Sequence, residues 1–441
     1  MTRTRIVAIA VMMGLVVGAS MAGERDDLWR QVDDAISKGL PKTAAEILGQ
    51  IVPAAIEDQA WAEATKALCM KIVQEGRVQG GLPEELITRL QGEMATAPEA
   101  MKPVMEAVLA HWYWQYFQNN RWRFLQRTAA GEASGQDITT WDLARILEEI
   151  DVHFAAALED QAGLKAIAIG EWDDLIEKGT VPDAYRPTLY DFLAHEALSF
   201  YSCGEQGALP EEVFEIMADS PIFGTVEEFL AWEPETSNTT SVKLKAVRLY
   251  QSLLSFHRDG ADATAFIDAD LLRLKFGYNF AVGPEKADRY IAALERFADE
   301  WKDSEISAQA IYAWASILYG RDECVEARAL AQRGWTTYPS SFGGIECYNL
   351  IQSIEGRSTT MSTERVWNDP LSEIRVTYRN VTKIYFRAIP YDHIGRSTWW
   401  NLTDKQREAL LAEEPALEWS AELPATEDYR QRTELLPAPQ G

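Results

Sequence analysis

The run Cys203-Gly204-Glu205-Gln206 places a thiol three residues ahead of a carboxamide. In that order a cysteine can condense with a glutamine side chain, release ammonia and store a reactive acyl thioester. The chemistry also needs an apolar pocket that keeps water away, and usually a histidine that assists transfer. Here the tetrapeptide follows an amphipathic helical pattern, Leu189–Tyr201, and runs into Gly207-Ala-Leu-Pro210, which reads as a helix–helix loop open to water. His257 is the only later histidine of the helical part. The expectation is an ordinary thiol at Cys203.

A second run, His195-Glu196, begins like the H-E-x-x-H helix, in which two histidines one turn apart hold zinc and the glutamate activates water. Position 199 is Ser199, so the second ligand is missing and His195 reads as structural. The five histidines, His111, His153, His195, His257 and His393, are scattered without ligand spacing. There is no G-x-S-x-G elbow, no phosphate-binding loop and no G-x-G-x-x-G opening a helix. We therefore expect no catalytic, cofactor-binding or metal-binding residues, no cofactor and no enzyme activity. The four cysteines, Cys69, Cys203, Cys324 and Cys347, form no C-x-x-C pair. Cys324 and Cys347 fall on neighbouring helices and are the pair best placed for a disulfide, although isolated helical cysteines are more often small core residues.

The segment Leu109-Ala-His-Trp-Tyr-Trp-Gln-Tyr-Phe-Gln-Asn-Asn-Arg-Trp-Arg-Phe124 is dense in aromatics. Leu109, Trp112, Tyr113, Tyr116 and Phe117 share one helical face and read as core. Trp114 and Trp122 lie off that stripe and are the interface candidates. Asn238-Thr-Thr, Asn380-Val-Thr and Asn401-Leu-Thr match the glycosylation sequon, which has meaning only in a eukaryotic secretory route.

These runs sit in a mainly α chain. Residues 27–350 read almost continuously as amphipathic helices: Leu28, Val32, Ala35 and Ile36 make one stripe, Leu40-Pro41 restarts the chain, and Ala44, Ile47, Leu48 and Ile51 make the next. Ser307–Tyr319 followed by Cys324–Thr337 forms the clearest hairpin, with Ala327 and Pro339 at the small-residue and terminal-proline positions of a tetratricopeptide unit. The expected fold is a degenerate helical-hairpin solenoid over residues 23–360. Beyond it, Ile374, Val376 and Tyr378, then Ile384, Phe386 and Ala388, alternate with polar residues as two adjacent strands separated by Asn380, and Thr403–Glu413 reads as helical. Residues 365–441 hold too few strands for a whole sandwich, so they read as a partial, truncated β-sandwich domain.

The N-terminus reads as a signal peptide over residues 1–22: Arg3 and Arg5, an apolar run from Ile6 to Val17, then Ser20-Met21-Ala22. The run is shorter than a membrane span, and no later segment approaches that length, so the chain is expected to be exported to the periplasm or beyond without membrane insertion. Net formal charge is −26, which disfavours nucleic acid and anionic lipid surfaces as partners.

Several segments together resemble the N-terminal part of bacterial alpha-2-macroglobulin-like proteins. They are Leu28-Trp29 with Leu40-Pro41-Lys42-Thr43-Ala44, His111-Trp-Tyr-Trp-Gln-Tyr-Phe117 with Asn120-Arg-Trp-Arg-Phe124, Thr140-Trp-Asp-Leu143, and Tyr378-Arg-Asn-Val-Thr382 with Tyr385-Phe-Arg387. Trp419-Ser-Ala-Glu-Leu-Pro424 resembles the run that precedes later strands of the first sandwich in that family. The resemblance implies a helical region ahead of a string of macroglobulin-like sandwiches and a role as the scaffold end of a protease trap, with proteases as partners. It also weighs against Cys203, because the family carries its thioester in a separate downstream domain. The competing expectation is a periplasmic helical-repeat adaptor that binds another envelope protein.

Overall fold

The computed structural model describes residues 25–126, 137–179, 181–204, 214–363, 373–389 and 402–437. The expected signal peptide, Glu205-Gln206 of the thioester-like run, His393 and Asn401 lie outside these residues. The chain divides into two compact units, one running to Lys286 and the other from Ala287 onward.

The first unit is built from helices α1 (Asp26–Ser37), α2 (Pro41–Glu57), α3 (Trp61–Gln79), α4 (Pro83–Met94), α5 (Lys102–Asn119), α6 (Arg121–Gln126), α7 (Leu143–Ala157), α8 (Gln161–Ala166), α9 (Leu189–Tyr201), α10 (Val226–Leu230), α11 (Val242–His257) and α12 (Thr264–Phe280). Breaks fall where backbone chemistry demands them. Pro41 and Pro83 sit at the first turn of α2 and α4, where a missing N–H costs nothing. Gly80 ends α3 at φ +68°, a left-handed conformation that a side chain would strain.

Helices pack mainly on their neighbours in sequence: α1 on α2, α2 on α3, α3 on α4, α4 on α5, with α9 seated against α5, α7, α8 and α11. The stripes expected for α1 and α2 meet as one core of Val32, Ile47, Leu48 and Ile51, with Leu28 and Ile36 at its margin. Each buried aliphatic side chain of this kind contributes on the order of 2 kcal/mol. The near-continuous helix expected to residue 350 is interrupted at residues 167–179, 181–188 and 214–225, which run as irregular chain and 3-10 turns. Pro182, Pro187 and Pro221 deny these stretches helical hydrogen bonds. Arg273, 1% exposed, seals one of them: its Nη1 donates to the Ile222 carbonyl at 2.9 Å while its Nε holds Asp270 at 2.8 Å.

The second unit opens with α13 (Lys286–Glu300) and continues with α14 (Ser307–Gly320), α15 (Cys324–Thr337) and α16 (Phe342–Glu355), which pack pairwise. Among the described residues, five strands follow: β1 (Ser358–Ser362), β2 (Glu373–Arg379), β3 (Lys383–Ala388), β4 (Leu417–Glu422) and β5 (Arg432–Pro437), with α17 (Asp404–Leu411) between β3 and β4. The order β1-β2-β5 makes one antiparallel sheet and β3-β4 another. The pairing expected between β2 and β3 is therefore corrected: Ile374 faces Leu436, and Phe386 faces Trp419. Val376, Tyr378, Phe386 and Leu423 form the core these strands share, and the Phe386 and Trp419 rings stack at 4.8 Å. Trp419-Ser-Ala-Glu-Leu-Pro424 is thus largely a strand in its own right.

Compact-unit and secondary-structure boundaries differ. The strands fall in the same compact unit as α14–α16.

Candidate functional site

Helix α9 is apolar on nearly every face, yet it carries Asp191, His195 and Glu196, all under 10% exposed. A buried charge must find a partner or lose its charge. Asp191 accepts from the Thr188 N–H and hydroxyl, at 3.0 and 2.8 Å, and contacts His257 Nε2 of α11 at 2.6 Å. Glu196 lies 2.8 Å from His111 Nε2 of α5. His195 takes the other course: burial, with Arg186 and His257 nearby, holds it well below the usual imidazole value, so it is neutral. The two members of the His195-Glu196 run thus serve different neighbours and do not converge on one point.

The same device recurs between α5 and α7. His153 Nδ1 contacts Glu106 at 2.6 Å, and its other nitrogen lies 3.6 Å from Glu149, an ion pair beyond hydrogen-bond length. Burial disfavours the imidazolium, but the carboxylates of Glu106 and Glu149 outweigh it and push His153 up to about 9. The Tyr113 ring stacks on His153 at 5.4 Å and on Trp141 at 5.7 Å. Asp151 of α7 accepts from Tyr201 of α9 at 2.9 Å and pairs with Lys245 of α11. These groups act as struts between helices.

Cys203 follows the last turn of α9, half-buried, its N–H donating to the Phe200 carbonyl at 3.1 Å. Cys69, Cys324 and Cys347 are buried thiols, and Cys324 and Cys347 do not join. Burial pushes Cys69 and Cys347 up to about 12, which suppresses the nucleophilic thiolate. Among the described residues, no three His, Cys, Asp or Glu side chains gather as a metal-binding group. A cavity beside Arg186 and Phe192 has a volume of about 30 Å³, room for one water.

The aromatic helix divides as its periodicity predicts: Leu109, Trp112, Tyr113, Tyr116 and Phe117 are buried. Trp114 is a correction. It packs against Phe200 at 5.5 Å and stacks on His111, so it belongs to the helix interface inside the unit. Trp122 remains as the surface candidate at 66% exposed. Leu125, Leu82 and Val78 are exposed as well. Tyr116 Oη donates to Glu84 at 2.6 Å and accepts from Arg123 at 2.5 Å, which brings the start of α4 beside α6.

A second polar junction escaped the sequence reading. Asn380, at φ +57°, links β2 to β3 and donates through Nδ2 to the Ile354 carbonyl at 2.8 Å, while its N–H donates to Thr426 Oγ1 at 2.8 Å. Arg379 donates to Tyr319 Oη and to the Ser353 carbonyl, both at 2.8 Å. The end of α16 is thereby tied to the strands, and the Asn380 sequon is engaged in structure. The signal was an Arg-Asn pair in a turn where Asn alone would suffice. None of the described helices is long and apolar enough to cross a membrane. No family model, no curated protein and no solved structure matches this chain.

Proposed function

We propose that this chain is a non-catalytic scaffold: the front portion of an exported alpha-2-macroglobulin-like protease trap acting in the cell envelope. One observation carries the reading. The segment Tyr378-Arg-Asn-Val-Thr382, which bears part of the resemblance, is the one that ties the last helices to the strands through Arg379 and Asn380. A scaffold that leads from a helical region into a series of sandwiches needs a stiff joint at that point. The ionisable groups support the same reading, because Asp191, Glu196 and Glu106 are committed to His257, His111 and His153 on other helices.

The rival reading, a protein-binding adaptor, draws on exposed Trp122 with Leu82 and Leu125, since an aromatic anchor at a surface is the common core of a protein interface. The two separate on the native protein. An antibody against α14–α16 should detect, in envelope extracts, a species much larger than this chain that retains added protease after its cleavage. A band at the mass of this chain, with no protease retained, would favour the adaptor.

A further inference from the structure

We infer that Asp268 and Arg186 form a pH-operated contact: they stand apart while Asp268 carries its proton and close on each other when it ionises, which shifts the turn bearing Arg186 against α12. Asp268 lies on α12, 8% exposed, and among the described residues it makes no hydrogen bond or ion pair. The other buried carboxylates described in this unit are all held: Asp191 by Thr188 and His257, Glu196 by His111, Asp270 by Arg273. Arg186 is the counterpart. It is half-buried at the end of the 3-10 turn Asp183–Tyr185, which packs on α12, and its Nε is buried without a hydrogen-bond partner. Acidic residues outnumber Lys and Arg by 68 to 42 in this chain, so a guanidinium does not stay unpaired for want of carboxylates. The cavity that Arg186 lines with Ile169, Ile176 and Phe192 gives its side chain room to move.

The groups around the pair leave Asp268 to Arg186. Tyr250 of α11 is pushed above its ordinary value by burial, and His195 of α9 is held neutral, so neither brings a charge. At the cavity, Lys178 is engaged with Asp173 and Asp183. The turn Pro221–Phe223, which also packs on α12, has no titratable side chain, and Asp270 and Arg273 satisfy each other there. Lys275 of α12 favours the Asp268 carboxylate, but less than Arg186 does. Burial outweighs both cations and pushes Asp268 up to about 6 from an ordinary 3.8. The arrangement with a protonated Asp268 is therefore favoured in acid and loses that advantage as pH rises from 3.8 through 6. Above that point a buried carboxylate without a hydrogen bond is costly, and the one unpaired cation acting on it is Arg186.

Hydrogen exchange on the full chain between about pH 5 and 7.5, corrected for the intrinsic rate, tests the inference, which does not rest on the proposed function. The reporters are the N–H groups of Ile169, Tyr185, Arg186 and Leu189, which donate to the carbonyls of Pro187, Pro182, Asp183 and Ile167. They should exchange about 10-fold faster at the upper pH, with a midpoint near 6, while α14–α16 change little. Asp268→Asn should remove the difference. Arg186→Met should move the midpoint up by about one pH unit, because it takes away the cation that favours the ionised form; a merely structural Arg186 would leave the midpoint in place. Circular dichroism checks folding, and if Asp268→Asn loses helix, Asp268→Leu carries the same test. Reporters that do not respond to pH in the wild type, a response that survives the Asp268 change, or an unmoved midpoint in Arg186→Met overturns the inference.

Discussion

Two groups of three helices hold together by different physics. In α5, α7 and α9, large side chains fill the space between helices, and polar pairs bridge them: Glu106 to His153, His111 to Glu196, Tyr201 to Asp151. In α14, α15 and α16 the backbones approach directly over Ala308, Ala315, Ala327, Ala331, Gly334, Gly343 and Gly344, all buried. The first arrangement stakes stability on protonation, and the second stakes it on the absence of a few atoms. Each should fail in its own way.

The sharpest break is a single methyl group. A Cβ at Gly344 would lie 1.8 Å from the Tyr338 carbonyl oxygen, and one at Gly343 would lie 2.3 Å from the Gln309 nitrogen. Both obstacles are backbone and cannot rotate away. Gly344→Ala should cost at least about 3 kcal/mol, above the usual range for an overpacked site. Urea unfolding should show the loss in the transition of the second unit, with the first unit's transition in place. A change under about 1 kcal/mol would mean that α16 can slide, and the close-packing account would fail.

In the α5–α7–α9 group the corresponding break is a proton. His153 keeps its proton to about 9 in the folded state, against an ordinary value of 6.5, so its contribution is complete below pH 6.5 and is lost as pH rises toward 9. Glu149 shifts the other way, held down chiefly by its contact with His153; its contribution is present above its ordinary 4.5 and lost as pH falls. The group should be most stable between those two ordinary values. Between pH 6.5 and 9 it should lose roughly 2 kcal/mol, while α14–α16 changes far less. Glu106→Gln should cost about 2 kcal/mol at pH 6 and flatten the alkaline loss, because removing one member strands the other. Equal pH slopes in wild type and variant would show that His153 does not titrate as described.

A smaller effect is expected at the joint beyond α16. Asn380→Ala removes the bonds to Ile354 and Gly356 and leaves φ +57° to a residue that adopts this conformation less readily than asparagine. The cost should be about 1–2 kcal/mol. Asn380→Gly keeps the turn and loses only the hydrogen bonds, so it should recover part of this. Hydrogen exchange should show β2 and β3 opening more readily while α14–α16 keep their protection. If the helices loosen to the same extent, the two parts unfold as one body and the joint is not a separate element.

What could be read in advance follows the same division. Ala327 and Pro339 announced the α14–α15 hairpin because close backbone approach requires small residues at fixed positions, and Cys324–Thr337 is the helix expected there. The apolar stripes of α1, α2 and α5 were equally plain. The struts were not, because His153 and Glu106 lie 47 residues apart and neither is unusual locally. A trace existed in α9, where Asp191, His195 and Glu196 interrupt an otherwise apolar helix. β1 was missed because all five of its residues are exposed, leaving no alternation to read. β2 and β3 were recognised by alternation, but period two is blind to partner choice, and each strand pairs with residues far along the chain.

The mildest prediction concerns Trp122, whose exposure sets it apart from both groups. The ring is 66% exposed, so Trp122→Ser gives up little buried area and should shift stability by no more than about 0.5 kcal/mol. Its neighbour Trp112, 8% exposed in the core of the same aromatic run, should cost about 3 kcal/mol or more when cut to alanine. Acrylamide quenching offers an independent view: the chain has 15 tryptophans, and Trp122→Ser should remove a readily quenched, red-shifted component, whereas loss of Trp112 should not. An effect at Trp122 above about 1 kcal/mol would mean that the ring carries packing. Trp122 would then be part of the core, and the adaptor reading would lose the surface anchor on which it depends.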